Sequence, residues 1–410
     1  MLTREQAQKT AEKILSFSKL PECAVQFSET EEAYVRFAVN SVTTSGFSAE
    51  RSFVISSTVD GKTGVARTTD MSDEALKAAV TRSEELAKIA PPNQEYVEPL
   101  GKQEYPAIDH WDEATASARA PQLVPHVKAV LDNAQQRKLV AAGLISRVAS
   151  VTAIANKAGN FGYARLADSR LSTTARTPDG SSSGWASQPT SRISELNGAD
   201  VGARAAEKCL RWKNPTRLEP GKYMVVLEPT AVGDLLGIAG FAFNARQAEE
   251  GRSFFSKKGG GTILGEKLFP EFVTLRSDPF DKRLPSPPWG FGGLPAAKNT
   301  WIENGVLKNL AYDRYWAKKS GKAPTPGLGG LILETGAGSV ADLIKSCERG
   351  LLVTRFWYIR PVNMQTLQLT GLTRDGLFLI EKGEVTKPVV NFRFNESPMR
   401  MLQNTRKMSA

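Results

Sequence analysis

Histidine and cysteine are almost missing from this chain. Its 410 residues include two histidines, His110 and His126, and three cysteines, Cys23, Cys209 and Cys347. The histidines stand sixteen positions apart, which is no metal-ligand spacing. The cysteines are odd in number and far from one another, which argues against a disulfide framework and a thiolate zinc site. A zinc site built by this chain alone therefore has almost no nitrogen or sulfur ligands to draw on. Long uncharged runs are also lacking. The run 235–245 is too short to cross a bilayer. The N-terminal "MLTREQAQKTAEKILSF" alternates charged and apolar residues and has no uncharged signal-peptide core, so a cytoplasmic location is expected. Arginine-rich arms are absent as well. The net charge of +10 is spread thinly, with short runs at Lys257-Lys258, Lys318-Lys319 and Arg406-Lys407. That pattern favours a soluble basic surface over a nucleic-acid interface.

What is present fits a globular protein. Hydrophobic residues make up 41% and charged residues 23%, and the length suggests two or three domains. A helix is predicted over 3–18, with Thr3 and Gln6 forming a capping box. Strands are predicted in "AYVRFAVNSV" and "RSFVISSTV", with a tight hairpin turn at Asp60-Gly61. A second helix should follow Ser72 and run to Ala90. "PPNQEYVEPLGKQEYP" reads as an extended linker. Another helix is predicted over 126–138, starting at Pro125, then strand-like runs and a helix in "DVGARAAEKCLRW". Beyond Pro220, strands and turns dominate, including hairpin turns at "IENG" and "IEKG". The order of elements predicts an α+β fold in three parts. These are an N-terminal α/β domain (1–105), a strand-rich central segment with helices (106–215) and a β-rich C-terminal domain (216–410).

Several short motifs imitate chemistry. "GKT" at Gly61-Lys62-Thr63 lacks the glycine that a phosphate loop needs five positions earlier, where Ser56 stands. "GSSSG" matches G-x-S-x-G with Ser182 central, but no helix follows and both histidines lie upstream, so a polar hairpin tip is the better account. "GAGSVA" (336–341) matches a dinucleotide fingerprint, yet its helix is very short and Ser339 with Asp342 already explains its start. Glu249-Glu250 reads as a solvated helix end, since helix neighbours point in different directions.

The informative stretch is "EPTAVGDLLGIAGFAFNARQAEEG", predicted as one helix capped by Thr230, with Asp234 in its early turns. Mid-helix glycines cost about 1 kcal/mol each relative to alanine, and close packing of other backbone is the expected compensation. With "LEPGKYMVVLEPTAVGDLL", "EEGRSFFSKKGGGTILGEKLF", "ENGVLKNLAYDRYWAKKSGKAPTPG", "ERGLLVTRFWYIR" and "LTGLTRDGLFLIEKGEVTKPVVNFRFNES", the chain resembles the TldD/PmbA family, also called peptidase U62 or modulator of DNA gyrase. Weaker agreement extends to "VRFAVNSVTTS" and "DGKTGVARTTDMSDEAL".

That resemblance implies an H-E-x-x-x-H zinc motif on this helix, and a C-terminal cysteine, in the metallopeptidase-type members. Here the histidine positions fall on Gly237 and Ala242 and the glutamate position on Ile238, and no cysteine follows Cys347. The resemblance therefore implies a non-catalytic PmbA/TldE-type subunit. It carries no zinc of its own and pairs with a zinc-bearing TldD-type subunit or as a homodimer, acting on peptides or unfolded proteins. Ser256, Lys257, Gly259, Gly260, Arg355 and Trp357 are the candidate peptide contacts. Two rivals stand beside this reading: a stand-alone metal-independent peptidase or peptide-binding protein, and a DNA-associated regulator.

Overall fold

The computed structural model describes residues 1–410. The first half is one six-stranded antiparallel sheet, ordered β3-β2-β1-β4-β5-β6. It is built twice from one pattern. The first unit is α1 (Arg4–Phe17), β1 (Glu22–Ala38), β2 (Ser41–Val59), β3 (Lys62–Thr68) and α2 (Asp73–Ile89). After a short α3 (Glu113–Ser117), the second is α4 (Ala120–Gln136), β4 (Val140–Asn156), β5 (Phe161–Arg176), β6 (Ser183–Thr190) and α5 (Gly198–Arg211). Local chemistry sets the boundaries. Thr3 and Gln6 make the reciprocal capping box of α1, and the Ser72 side chain caps α2. Asp60 and Gly61 both adopt positive φ in the hairpin between β2 and β3.

The two units meet where β1 ladders antiparallel to β4, from Ala24↔Asn156 to Phe37↔Gly143. The expected boundary at 105/106 thus cuts between strands of one sheet. Sequence missed this because the linker ends one pattern without signalling that the next strand returns to the first. A second correction concerns α4, which starts at Ala120 with Pro121 in its first turn and holds Pro125 inside.

Odd-numbered positions of β1 and β4 face the helices. Phe27, Phe53, Ile55 and Val151 pack with Ile14 and Leu76. Phe37, Ile145 and Leu171 pack with Leu123, Val127 and Val201. Between these two cores runs a polar seam. Arg147, fully buried, donates to the carbonyls of Ala118 and Glu31, and Arg51 pairs with Glu29 at 2.6 Å.

The second half has shorter elements. They are β7 (Val225–Leu227), α6 (Pro229–Ala239), α7 (Ala245–Glu249), β8 (Leu275–Ser277), β9 (Asn299–Glu303), β10 (Val306–Leu307), α8 (Arg314–Ser320), β11 (Leu331–Leu333), α9 (Val340–Lys345), β12 (Arg349–Val353), β13 (Phe356–Asn363), β14 (Gln368–Thr373), β15 (Leu377–Glu381), β16 (Glu384–Pro388), β17 (Arg393–Glu396) and α10 (Pro398–Gln403). They form sheets ordered β10-β9-β8-β11, β16-β15-β12-β7 and β13-β14-β17. The expected turns at Asn304-Gly305 and Lys382-Gly383 are present, with positive φ at all four residues. Direct bonds join the halves: Tyr105 Oη to the Gly293 carbonyl (2.7 Å), Ser183 Oγ to Asp375 (2.9 Å) and Trp212 Nε1 to the Val389 carbonyl (3.0 Å).

Candidate functional site

The segment expected as one long helix is three pieces. Helix α6 ends at Ala239, a 3-10 turn covers 240–243, and Asn244 leaves the helical region (ψ 115°). The Asn244 side chain then accepts from the Gln247 N–H and starts α7. Thr230 lies inside α6; the N-cap residue is Glu228, followed by Pro229. The Asp234 carboxylate accepts from the Phe356 N–H at 2.9 Å, which ties α6 to β13, and burial pushes its pKa up.

Helix α6 separates two cores. Leu235 packs with Leu351, Phe356 and Leu379. Leu236 and Ile238 pack beside Phe243, Phe255 and Trp301. The third side carries Gly233 and Gly237, four positions apart and so on one face, and Phe241 follows in the 3-10 turn beyond α6. An added Cβ at Gly233 or Gly237 meets nothing within 4 Å, so the expected close packing against these glycines is absent. Phe241 is 60% exposed. Gly237 and Phe241 face a cleft of about 1280 Å³.

Mainly even-numbered residues of the first sheet form the cleft floor: Glu22, Ala24 and Gln26 of β1, Val54, Ser56 and Thr58 of β2, and Ile154 and Asn156 of β4, with Cys23, Val25, Thr63 and Ala155 also bordering it. Strand alternation explains why, since the odd positions are committed to the helices. The roof is Gly237, Gly240 and Phe241 with the loops 287–293, 311–314 and 325–329. The proline-rich stretch taken for a linker supplies a wall through Asn93, Tyr96, Val97, Pro99 and Leu100. Its aromatic residues among prolines were the one available signal. Trp289 meets Tyr105 edge-on at 5.6 Å, which holds the roof loop to that wall.

The charged groups that line the cleft are already engaged. Glu22 accepts from the Tyr96 hydroxyl, and burial together with that carboxylate pushes the Tyr96 pKa up to about 12. Asp313 caps α8 by accepting from the Trp316 N–H at 2.8 Å. Arg314 donates to the Glu98 carbonyl at 2.5 Å. What remains for a ligand is backbone, side-chain amides, hydroxyls and apolar surface.

The ligand-equivalent positions do not come together. Gly237 opens onto the cleft, Ile238 is half-buried between cores, and Ala242 is 2% exposed inside the second core. None carries a side-chain donor atom, and no group of three or more His, Cys, Asp or Glu side chains is placed to hold a metal ion. The residues present do not fit a zinc ion. Both histidines lie off the cleft; His110 Nε2 is 2.9 Å from the Pro279 carbonyl. Ser182 is buried and donates its hydroxyl to the Cys209 carbonyl. Glu249 is no solvated end, because it accepts from Tyr312 Oη (2.7 Å), Trp316 Nε1 (2.6 Å) and Ser320 Oγ (3.2 Å).

The candidate peptide contacts also lie elsewhere. Ser256, Lys257, Gly259 and Gly260 belong to a turn whose tip is exposed and closed by the Ser256↔Thr262 bridge. Arg355 sits where β6 meets β13, its guanidinium 4.1 Å from the Trp185 ring and 5.2 Å from the Trp357 ring. Neither group lines the cleft.

Residues 220–410 match the model of the PmbA/TldA metallopeptidase C-terminal domain, and residues 23–87 that of PmbA/TldA metallopeptidase domain 1, together more than half of the chain. The chain belongs to the PmbA/TldD family. A protein named metalloprotease from Methanothermobacter thermautotrophicus is 26% identical over 223 residues, which is 50% of this chain and 46% of that one. Metalloprotease PmbA from Escherichia coli O157:H7 is 26% identical over 195 residues, 46% of this chain and 41% of that one. The chain thus spans under half the length of either relative. Among solved structures, TldE from Thermococcus kodakarensis superposes with a TM-score of 0.87 at 19% identity, covering 98% of this chain and 94% of that one. A candidate DNA gyrase modulator from Thermotoga maritima gives 0.86 at 19%, covering 98% and 97%. These likenesses establish the PmbA/TldD fold for the chain. No helix is long and apolar enough to cross a membrane.

Proposed function

We propose that this protein is a non-catalytic, PmbA/TldE-type subunit that holds a peptide for a zinc-bearing TldD-type partner. The observation that carries this reading is the cleft in which α6 presents Gly237 where metallopeptidase-type members of the family would place a zinc ligand. Without donor atoms, that wall can shape and position a substrate but cannot activate water. The cleft suits an extended, largely uncharged peptide. Its charged side chains are paired internally, while Phe241, Phe291 and Trp289 offer apolar contact and the glycines of 290–293 let backbone approach. One cation, Arg314, against two carboxylates is a poor lining for nucleic acid. Zinc belongs to the partner in this reading, and the chain alone cleaves nothing.

The test is to purify the chain, measure its zinc by mass spectrometry and assay unfolded peptides with and without a TldD-type protein. The expected result is no stoichiometric zinc, no cleavage alone and cleavage on adding the partner. Zinc held at one equivalent, or chelator-resistant cleavage by the lone chain, would overturn the reading.

A further inference from the structure

The roof of the cleft has to be held at a set height above its floor. Tyr105 and Trp289 fasten the roof loop 287–293 to the wall, but neither touches α6. Helix α6 is fastened elsewhere. Its one charged residue, Asp234, points to the joint between the two halves.

The joint starts on the first sheet. Trp185 of β6 pairs with Thr174 of β5, which pairs with Ala142 of β4. Even-numbered residues of β4 face the cleft side, so Trp185 stands on that side too, and so does Ser183 two residues before it. The Arg355 guanidinium lies 4.1 Å from the Trp185 ring and 5.2 Å from the Trp357 ring. Ser183 Oγ donates to Asp375 at 2.9 Å, and Asp375 pairs with Arg355 at 3.4 Å and with Arg374 at 3.6 Å. Arg355 directly precedes Phe356, whose N–H donates to Asp234 of α6. At the start of α6, the cap residue Glu228 meets Lys208 of α5 at 2.5 Å.

These contacts run unbroken from β6 through Arg355 to β13 and on to α6. Arginine suits the place because a flat guanidinium can lie on indole rings and still aim its edge donors at a carboxylate. Without it, Trp185 and Trp357 lose the cation they share, and Asp375 keeps only the more exposed Arg374. Helix α6 would then move with β13, because Asp234 and the core of Leu235, Leu351 and Phe356 bind the two together. We infer that Arg355 is a positioning residue, which holds β13 and α6 at a set height over the first sheet and so fixes the width of the cleft. The consequence for a peptide rests on the subunit reading above; the consequence for the roof does not.

Double electron–electron resonance tests this, with spin labels on Gly233→Cys of α6 and Arg82→Cys of α2, under the floor. Gly233 has open space around it, Arg82 is exposed, and the three native cysteines are buried. The labelled chain is diluted with unlabelled chain, so that distances within one molecule are read. Arg355→Ala should lengthen and broaden the distance. Trp185→Ala should do the same, and the double variant should go no further than either, because both break one contact. Trp185→Phe, which keeps a ring under the cation, should stay near wild type. Ile380→Ala, in a separate core of the second half, should lower the melting temperature and leave the distance alone. A fluorescein-labelled nonapeptide of valine and glutamine, followed by anisotropy, should bind at least tenfold more weakly to Arg355→Ala and unchanged to Ile380→Ala. Trp185→Ala decides the matter if Arg355→Ala does not fold. A distance unmoved by Arg355→Ala or Trp185→Ala, an equal shift in Ile380→Ala, or additive shifts in the double variant would each overturn the inference. If the distances shift as expected but the wild-type chain binds no peptide, the inference stands and the peptide reading of the cleft fails.

Discussion

Gly64 on β3 and Gly184 on β6 occupy matching places in the two units of the first sheet. Each lies under its covering helix. A Cβ on Gly64 would stand 2.1 Å from the Ser83 carbonyl oxygen of α2, and one on Gly184 2.3 Å from the Ala205 carbonyl oxygen of α5. Gly237 on α6 is the opposite case, since a Cβ there meets nothing within 4 Å. One residue type thus permits close packing in one half of the molecule and leaves space unfilled in the other. The first half uses glycine to bring helix onto strand, which leaves one sheet face free. The second half uses it to keep a helix wall flat over that face, at a cost of about 1 kcal/mol of helix stability per glycine. A helix that keeps such a cost with no packing in return points to the empty space itself as the useful feature.

Substitutions can break or sharpen this contrast. The largest effect is expected from Gly184→Ala or Gly64→Ala, which should lose about 3 kcal/mol in urea unfolding, because helix backbone cannot yield to a methyl group. Equal, small losses at Gly64, Gly184 and Gly237 would erase the distinction. Glu84 probes the first half next. Burial alone would raise its pKa, but the Lys19 N–H, Ser18 hydroxyl and Leu20 N–H donate to it and hold it below the usual glutamate range. A depressed folded pKa means stability that is full above the ordinary value and lost as pH falls through the folded one. Glu84→Ala should cost about 2 kcal/mol at neutral pH and flatten the acid limb of the stability curve. Gly237→Ala should act in the opposite direction, adding about 1 kcal/mol with no change of fold. Gly237→Trp should fold and yet abolish peptide retention, measured by anisotropy of a labelled peptide. The smallest effect is at the cleft wall. Tyr96 has its pKa raised by burial and by Glu22, so its contribution is full below the ordinary tyrosine value and fades as pH rises towards about 12. Tyr96→Phe should remove that alkaline dependence and cost about 1 kcal/mol, read from melting curves between neutral and alkaline pH.

Local features were legible in the sequence where one short stretch held both partners of an interaction. Thr3 with Gln6, Ser72 with Ala75, Ser339 with Asp342 and the turn at Asp60-Gly61 all lie within three residues of each other. The long helix around Gly237 was misread because its break at Asn244 rests on a backbone bridge to Ala311, in a distant segment, as well as on the local cap to Gln247. Glu249 was misread for the same reason, since its donors come from residues 312–320. Beyond its aromatic residues, the wall formed by Asn93, Tyr96 and Leu100 left no signal, because proline-rich composition describes a conformation and not a neighbour.

The sequence by itself determined that Gly237, Ile238 and Ala242 bring no side-chain nitrogen, oxygen or sulfur to that stretch, and that the two histidines stand far from it along the chain. It also settled the capped helix starts and hairpin turns, because those depend on neighbours along the chain. Only the tertiary structure decided which glycines are covered and which face space, that β1 and β4 fuse two units into one sheet, and that Arg355 meets Trp185 across the two halves. Those outcomes rest on contacts between residues far apart in the chain, and a close approach or an empty volume leaves no local mark on the residues that border it.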